Sequence, residues 1–201
     1  MLPTDQHIEA LHRTYAKTSK DFQLVYNHCQ MVGAIASQLL DTQPIPGIDR
    51  QLVHVGCLLH DIGAYDVLED GKFVAGVRHG TIGEHILQAE GFPETIWRFA
   101  SHHTGVGLTE QDVKDQRLPI PVGDYTAKTN EERLIMYADK FHSKSRPPVE
   151  PPYFCTFEWY HHSVQKFGAD KATKLGELAA LFGKPDLDAL SARYGYEIRD
   201  V

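Results

Sequence analysis

Between Asp21 and Leu40 apolar residues recur at Phe22, Val25, Cys29, Val32, Ile35, Ala36 and Leu39. That spacing of three and four predicts one buried face of a long helix, which Pro44, Pro46 and Gly47 would end. Asp49 is placed to cap a second helix carrying Leu52, Val53, Val55, Gly56 and Leu59, and Gly63 suits a C-terminal cap. The signals are mixed from Ala64 to Val77, with Glu69-Asp70-Gly71 reading as a turn. Further helices are expected from His79 to Ala89, from Pro93 into His102-His103, and over a short piece from Thr109 to Gln116. Leu118 to Lys128, with Pro119, Pro121 and Gly123, reads as loop. Thr129-Asn130-Glu131-Glu132 has the form of a capping box and opens a helix through Lys140. After the breaker Arg146-Pro147-Pro148-Val149-Glu150-Pro151-Pro152, helices are expected over Thr156–Phe167, Ala169–Phe182 and Leu187–Arg193. No internal repeat, low-complexity tract or strand-like alternation stands out. The expected fold is all-α, a bundle of about eight helices, with a core over 1–146 and a helical extension over 147–201 packed on it.

Composition narrows the picture. The chain has 201 residues, 42% hydrophobic and 23% charged, which is ordinary for a globular protein. No apolar run approaches the ~18 residues of a membrane span, and the first residues lack a basic region followed by an apolar stretch. No membrane association and a cytoplasmic location are therefore expected. The three cysteines, Cys29, Cys57 and Cys155, include no CxxC pair and argue against a disulfide framework or thiolate site; Cys29 and Cys57, inside apolar stretches, read as buried small hydrophobes. The formal net charge of -7 opposes a nucleic-acid polymer as partner. A small phosphorylated ligand stays compatible, because bound metal supplies positive charge that the net figure omits. The unusual count is 12 histidines, and histidine is a frequent metal ligand and acid/base group.

Two features place histidines where chemistry needs them. His60-Asp61 ends an apolar helix; neighbours on a helix diverge by about 100°, so both side chains can face one cavity only if the helix stops there. A carboxylate in that position can bridge two cations while the imidazole binds one. His28 lies between Val25 and Val32 on the apolar face of the first predicted helix, so it points into the core and needs a partner.

A helical histidine followed some thirty residues later by His60-Asp61-Ile62-Gly63 resembles the HD-domain metal-dependent phosphohydrolases. Three further segments are similar to motifs of that superfamily: Arg78-His79-Gly80-Thr81-Ile82-Gly83-Glu84-His85-Ile86-Leu87, Ala100-Ser101-His102-His103-Thr104-Gly105, and Tyr137-Ala138-Asp139-Lys140. The resemblance covers roughly Asp21 to Arg146 and extends to small archaeal and bacterial HDIG proteins of unassigned substrate. The HD-type diadenosine tetraphosphate hydrolases are similar in size and ligand order but differ after the late aspartate. Ala64 follows His-Asp-Ile-Gly where the cyclic-dinucleotide subclass has lysine, and no Gly-Tyr-Pro follows His103. Cyclic di-GMP is therefore disfavoured.

The resemblance implies that His28, His60, Asp61 and Asp139 hold one metal ion, and that Asp61 bridges to a second held by His79 and His103, with His102 a further candidate. Such ligands suit two divalent transition ions from among Fe, Mn, Zn, Co and Ni. The implied reaction is hydrolysis of a phosphoester or phosphoanhydride by a metal-bridging water, with Asp61 central to catalysis. The expected substrate is a small phosphorylated molecule, a nucleotide first. Arg78, Lys140, Lys144 and Arg146 flank the ligands and are candidate phosphate contacts; a homodimer is the oligomer considered. The same ligands loaded with iron resemble HD-domain oxygenases acting on small anions, and a non-catalytic regulatory HD domain is the third alternative. His54 and His85 read as structural, His161 and His162 as surface, and His7 and His12 as exposed.

Overall fold

The computed structural model describes residues 2–69, 72–74, 76–144 and 151–200, the side chain of Ala169 excepted. Its spine is α2 (Ser19–Thr42), capped by Thr18, whose side chain accepts from the Asp21 N–H. The helix buries Phe22, Val25, His28, Cys29, Val32, Ile35, Ala36 and Leu39, the face its spacing predicts. α3 (Arg50–Leu59) starts where the Asp49 carboxylate takes the N–H groups of Gln51 and Leu52. It lies between α2, α5 (Glu94–Ser101) and α7 (Asn130–Ala138). Gly56 is where α3 meets the other two helices: a Cβ there would come within 2.5 Å of Ile135 Cδ1 and 2.7 Å of Phe99 Cδ2.

Gly63 serves close approach rather than the helix cap expected of it. The chain leaves α3 into a 3₁₀ segment, Ile62–Val67, that crosses the N-terminus of α4 (His79–Ala89). A Cβ at Gly63 would collide with the carbonyl of His79 and the N–H of Gly83. This contact presses the His-Asp dyad and His79 together.

Ten α-helices occur among the described residues, and the fold is all-α. α1 (Asp5–Tyr15) was not anticipated; it packs Ile8, Leu11 and His12 against α2, α3 and the 3₁₀ segment. The stripe Ile8, Leu11, His12 has helical spacing, but its third member is polar, and polarity alone predicts exposure for it. α6 (Glu110–Asp115) is tied by Asp112 to Lys171 of α9 (Ala169–Phe182) at 2.5 Å. α8 (Phe157–Val164), α9 and α10 (Leu187–Tyr194) contribute Val164, Leu175, Leu178, Phe182 and Leu190 to the core that also holds Val32, Ile35, Ile135 and Tyr137. The boundary expected at 146/147 lies outside the described residues.

Short strands are present where none was expected. β1 (Leu68–Glu69) pairs antiparallel with β2 (Lys72–Phe73). β3 (His142–Ser143) pairs antiparallel with β4 (Tyr153–Cys155), which pairs parallel with β5 (Glu197–Arg199). Strands of two or three residues are too short to show period-two alternation. No described helix is long and apolar enough to cross a membrane.

Candidate metal centre

His60 caps the C-terminus of α3 and keeps helical angles, and Asp61 has left helical geometry at φ -108°, ψ 15°. The helix end lets both side chains face one cavity. The His60 Nδ1–H donates to the Cys57 carbonyl at 2.7 Å, leaving Nε2 turned inward, buried and without a hydrogen-bond partner. That nitrogen lies 3.6 Å from Asp139 Oδ1 and 3.8 Å from Asp61 Oδ2. His28, from the middle of α2, places Nε2 2.9 Å from Asp139 Oδ1 and 3.5 Å from Asp61 Oδ2. Asp139 comes from the end of α7. His28, His60 and Asp61 thus offer donor atoms all within 4.8 Å of one another.

A second group forms on the other carboxylate oxygen. His79, at the start of α4, and His103, just past α5, set Nε2 at 3.2 and 3.6 Å from Asp61 Oδ1. Their Nδ1 atoms face the carbonyls of Gly76 and Phe99. With each N–H donated to a carbonyl, the two Nε2 lone pairs converge on each other at 2.8 Å and on a carboxylate. Lone pairs and a carboxylate repel unless a cation or proton lies among them. Asp61 Oδ1 is itself buried without a hydrogen-bond donor. These orphaned acceptors, all imidazole or carboxylate, fit divalent metal ions, and Asp61 belongs to both groups.

The titration behaviour agrees with this chemistry. Burial lowers His28 to about 4 and His103 to about 3, and lowers His79, keeping each imidazole neutral as a ligand must be. Burial works against the charge on Asp61, but Lys144 and His60 outweigh it and hold the carboxyl well below its usual range. Asp139 is likewise held down, burial being overcome by Lys140, by the hydrogen bond from His28 and by the nearby His60 imidazole. His60 departs from the other histidines: burial lowers it, yet Asp61, Cys29 and Asp139 together hold it well above the ordinary value. A cation bound between the carboxylates would displace that proton.

His28, His60, Asp61, His79, His103 and Asp139 are thus brought together, and His102 is not among them. Its Nδ1 bonds the Ser101 hydroxyl at 2.7 Å and its ring lies 5.8 Å from that of Tyr125. Adjacent to His103 at a helix end, it takes these other partners and stays outside both donor groups. Lys144 Nζ is paired with Asp61 Oδ2. Lys140 is buried and engaged, donating to Asp139 Oδ2 at 2.6 Å and to the His103 carbonyl at 3.1 Å. Arg78 is exposed, and Arg146 lies outside the described residues.

Some neighbours had no assigned role. A cleft of about 900 Å³ reaches Asp139, Lys140, His142 and Lys144, and its walls include Phe73, Trp159 and Tyr160. A smaller one of about 360 Å³ reaches His79 and shares Tyr160 and Phe167 with the first. The α8 aromatics are far from the ligands in sequence, and no motif marks them. His142 is buried with its Nδ1 2.9 Å from His28 Nδ1; three residues past Asp139, it carried only a weak positional hint. His12, expected exposed, is fully buried: Nδ1 meets the Tyr65 hydroxyl at 2.8 Å and Nε2 the Leu58 carbonyl at 2.8 Å. His54 is paired with Asp5 at the surface, and His85 is exposed rather than built into the core.

Residues 25–144 match the HD domain family. The chain belongs to that family. Among characterised and uncharacterised relatives, it is 32% identical over 130 residues to the tRNA (cytidine(56)-2'-O)-methyltransferase of Picrophilus torridus, a match covering 65% of this chain and 35% of that protein. It is 34% identical over 117 residues to an uncharacterised protein of Methanocaldococcus jannaschii, covering 57% of this chain and 64% of the relative. The matched region is thus about a third of the methyltransferase and just under two thirds of the archaeal protein. The HD domain of the L. monocytogenes phosphodiesterase PgpH, in complex with cyclic-di-AMP, shares the fold at a TM-score of 0.50 and 18% identity, covering 96% of this chain and 99% of that one. Family membership and the likeness to an archaeal protein of unassigned function agree with the motifs in the sequence.

Proposed function

We propose that this HD-domain protein is a metal-dependent phosphohydrolase that cleaves a phosphoester or phosphoanhydride of a small molecule, a nucleotide first. The observation that carries this reading is the pair of donor groups, His28/His60/Asp61 and Asp61/His79/His103, sharing one buried carboxylate. In this reading Asp139 completes the first group, and His102 is left out. The chemistry supplied by two divalent ions held there is activation of water and neutralisation of charge on phosphoryl oxygens. Asp61 divides its two oxygens between the groups and stays ionised. Lys144, at the edge of the cleft, can exchange Asp61 for a phosphate oxygen. Lys140 is held by Asp139 and the His103 carbonyl, so its part is to position Asp139. Trp159, Tyr160 and Phe73 line the cleft and give it aromatic surface against which a base can pack.

The likeness to a phosphodiesterase domain holding cyclic-di-AMP supports a nucleotide ligand. The net charge of -7 works against a polymeric RNA, so the tRNA substrate of the methyltransferase relative is not carried over. The test is a panel of nucleotides and other phosphoesters under strict anaerobiosis, with Mn or Co restored to metal-free protein. Release of phosphate or a nucleotide from some member is expected. Turnover seen only with iron and dioxygen would overturn the reading in favour of an oxygenase.

A further inference from the structure

Three of the four imidazoles in the centre have Nδ1 against a main-chain carbonyl: His60 on Cys57, His79 on Gly76 and His103 on Phe99. His28 differs. It sits within a continuous helix, where neighbouring carbonyls are already taken by the helix itself. Its Nδ1 instead lies 2.9 Å from Nδ1 of His142, and both rings are buried. His142 is fixed from the far side. It belongs to β3, opposite Phe154 of β4, and its ring stands edgewise to Phe154 and Tyr196 at centroid distances of 5.4 and 5.2 Å. The C-terminal part of the chain therefore holds the ring that touches His28.

We infer that His142 is the positioning residue for His28, accepting its Nδ1–H when Nε2 is given to a metal ion. A nitrogen–nitrogen contact needs one proton and one lone pair. In the ion-free chain His28 Nε2–H donates to Asp139 Oδ1, 2.9 Å away, so His142 must supply the proton of the Nδ1 pair. With Nε2 occupied by an ion, His28 carries its proton on Nδ1 and His142 becomes the acceptor. A neutral imidazole can take either part by exchanging tautomers, without a change of charge. A backbone carbonyl could accept only, and a carboxylate would add a buried negative charge. The inference rests on the reading of this cluster as a metal centre. It assigns a specific link between the C-terminal segment and the site.

The test compares His142→Phe, which keeps a ring against Phe154 and Tyr196 but has no acceptor, with His142→Asn, whose Oδ1 can stand near the place of Nδ1. Zinc binding to each full-length protein is measured by competition with a chromogenic chelator, and thermal melting of the ion-free proteins reports folding. His142→Phe should weaken one of the two zinc ions by about 10- to 100-fold and leave the other unchanged, and His142→Asn should recover most of the loss. Nitrogen-15 spectra of the wild type should show His28 passing from Nε2–H to Nδ1–H on zinc addition, and His142 from Nδ1–H to Nε2–H. Wild-type affinity in His142→Phe, or equal loss in both variants, overturns the role of His142 while leaving the metal centre standing. Absence of zinc uptake by the wild type overturns the metal reading itself, and this inference with it. If His142→Phe melts far below the wild type, the His142→Asn affinity and the wild-type spectra decide the matter.

Discussion

Asp61 contributes to both donor groups through different oxygens, and no other residue does among those described. Asp61→Ala should therefore abolish binding of both ions and all turnover, whereas His103→Ala should lose one ion and keep the other. Elemental analysis after dialysis, expected near two ions per chain for the wild type, near one for His103→Ala and near none for Asp61→Ala, checks this; retention of both by Asp61→Ala would refute the shared bridge. His12 sets a second expectation at the same scale. It joins the Leu58 carbonyl to the Tyr65 hydroxyl, on either side of the His60-Asp61 dyad, and burial lowers it from 6.5 to about 4. The folded state thus disfavours the protonated form. The contribution is whole above pH 6.5 and is lost as pH falls from there towards about 4, amounting to about 3 kcal/mol at most. Denaturant unfolding at a series of pH values should show His12→Gln less stable at neutral pH but with a shallower decline than the wild type over that interval. Parallel profiles would show that His12 binds its proton as readily in the folded chain as in the unfolded one, and would refute the argument.

At the scale of elements, the centre depends on how closely the segment after α3 lies on the start of α4. Gly63 is the contact point, since any Cβ there meets main-chain atoms of His79 and Gly83, which cannot turn aside as a side chain can. Gly63→Ala should cost about 1–3 kcal/mol or more of stability. It should also weaken the ion held by His79 and His103 more than the ion at His28, because it pushes α4 away from Asp61. Chemical denaturation and two-site zinc titration check the two parts, and a stable variant with unchanged binding would refute the argument. Gly83 shares the contact: its own Cβ would come 2.9 Å from Ala100 Cβ, so α4 is closely packed on α5 as well. The glycine of the His-Asp-Ile-Gly motif is thus explained by main-chain crowding, with no unusual φ required.

Over the whole molecule, the C-terminal helices share the core of α2, α3 and α7 and also supply Trp159 and Tyr160 to the cleft wall. We propose that residues 147–201 fold together with the segment before them as one cooperative unit. The two tryptophans, Trp97 in α5 and Trp159 in α8, report the two parts separately. Unfolding followed by the fluorescence of Trp97 alone in Trp159→Phe, and of Trp159 alone in Trp97→Phe, should give transitions that each coincide with circular dichroism of the same variant. Leu178→Ala, in α9, should lower both by about 2–5 kcal/mol. A shift confined to the Trp159 signal would show two independent units.

The chain by itself determined the long helices and, with the family motifs, most of the candidate ligands. Helical spacing of apolar positions reflects burial of one face, and that is a local property of α2, α3 and α7. The dyad was legible because a helix end is the one place where adjacent side chains can face one cavity, and His28 because a histidine on an apolar face must find a partner. The family motifs supplied His79, His103 and Asp139. Only the tertiary structure separated His103 from His102, since which of two neighbours at a helix end turns inward depends on what packs against α5. The buried place of His12, the contact of His142 with His28, the strands of two or three residues and the α8 wall of the cleft were decided in the same way. Each depends on segments distant in sequence meeting in space, and a side chain's own identity does not disclose whether another element will cover it.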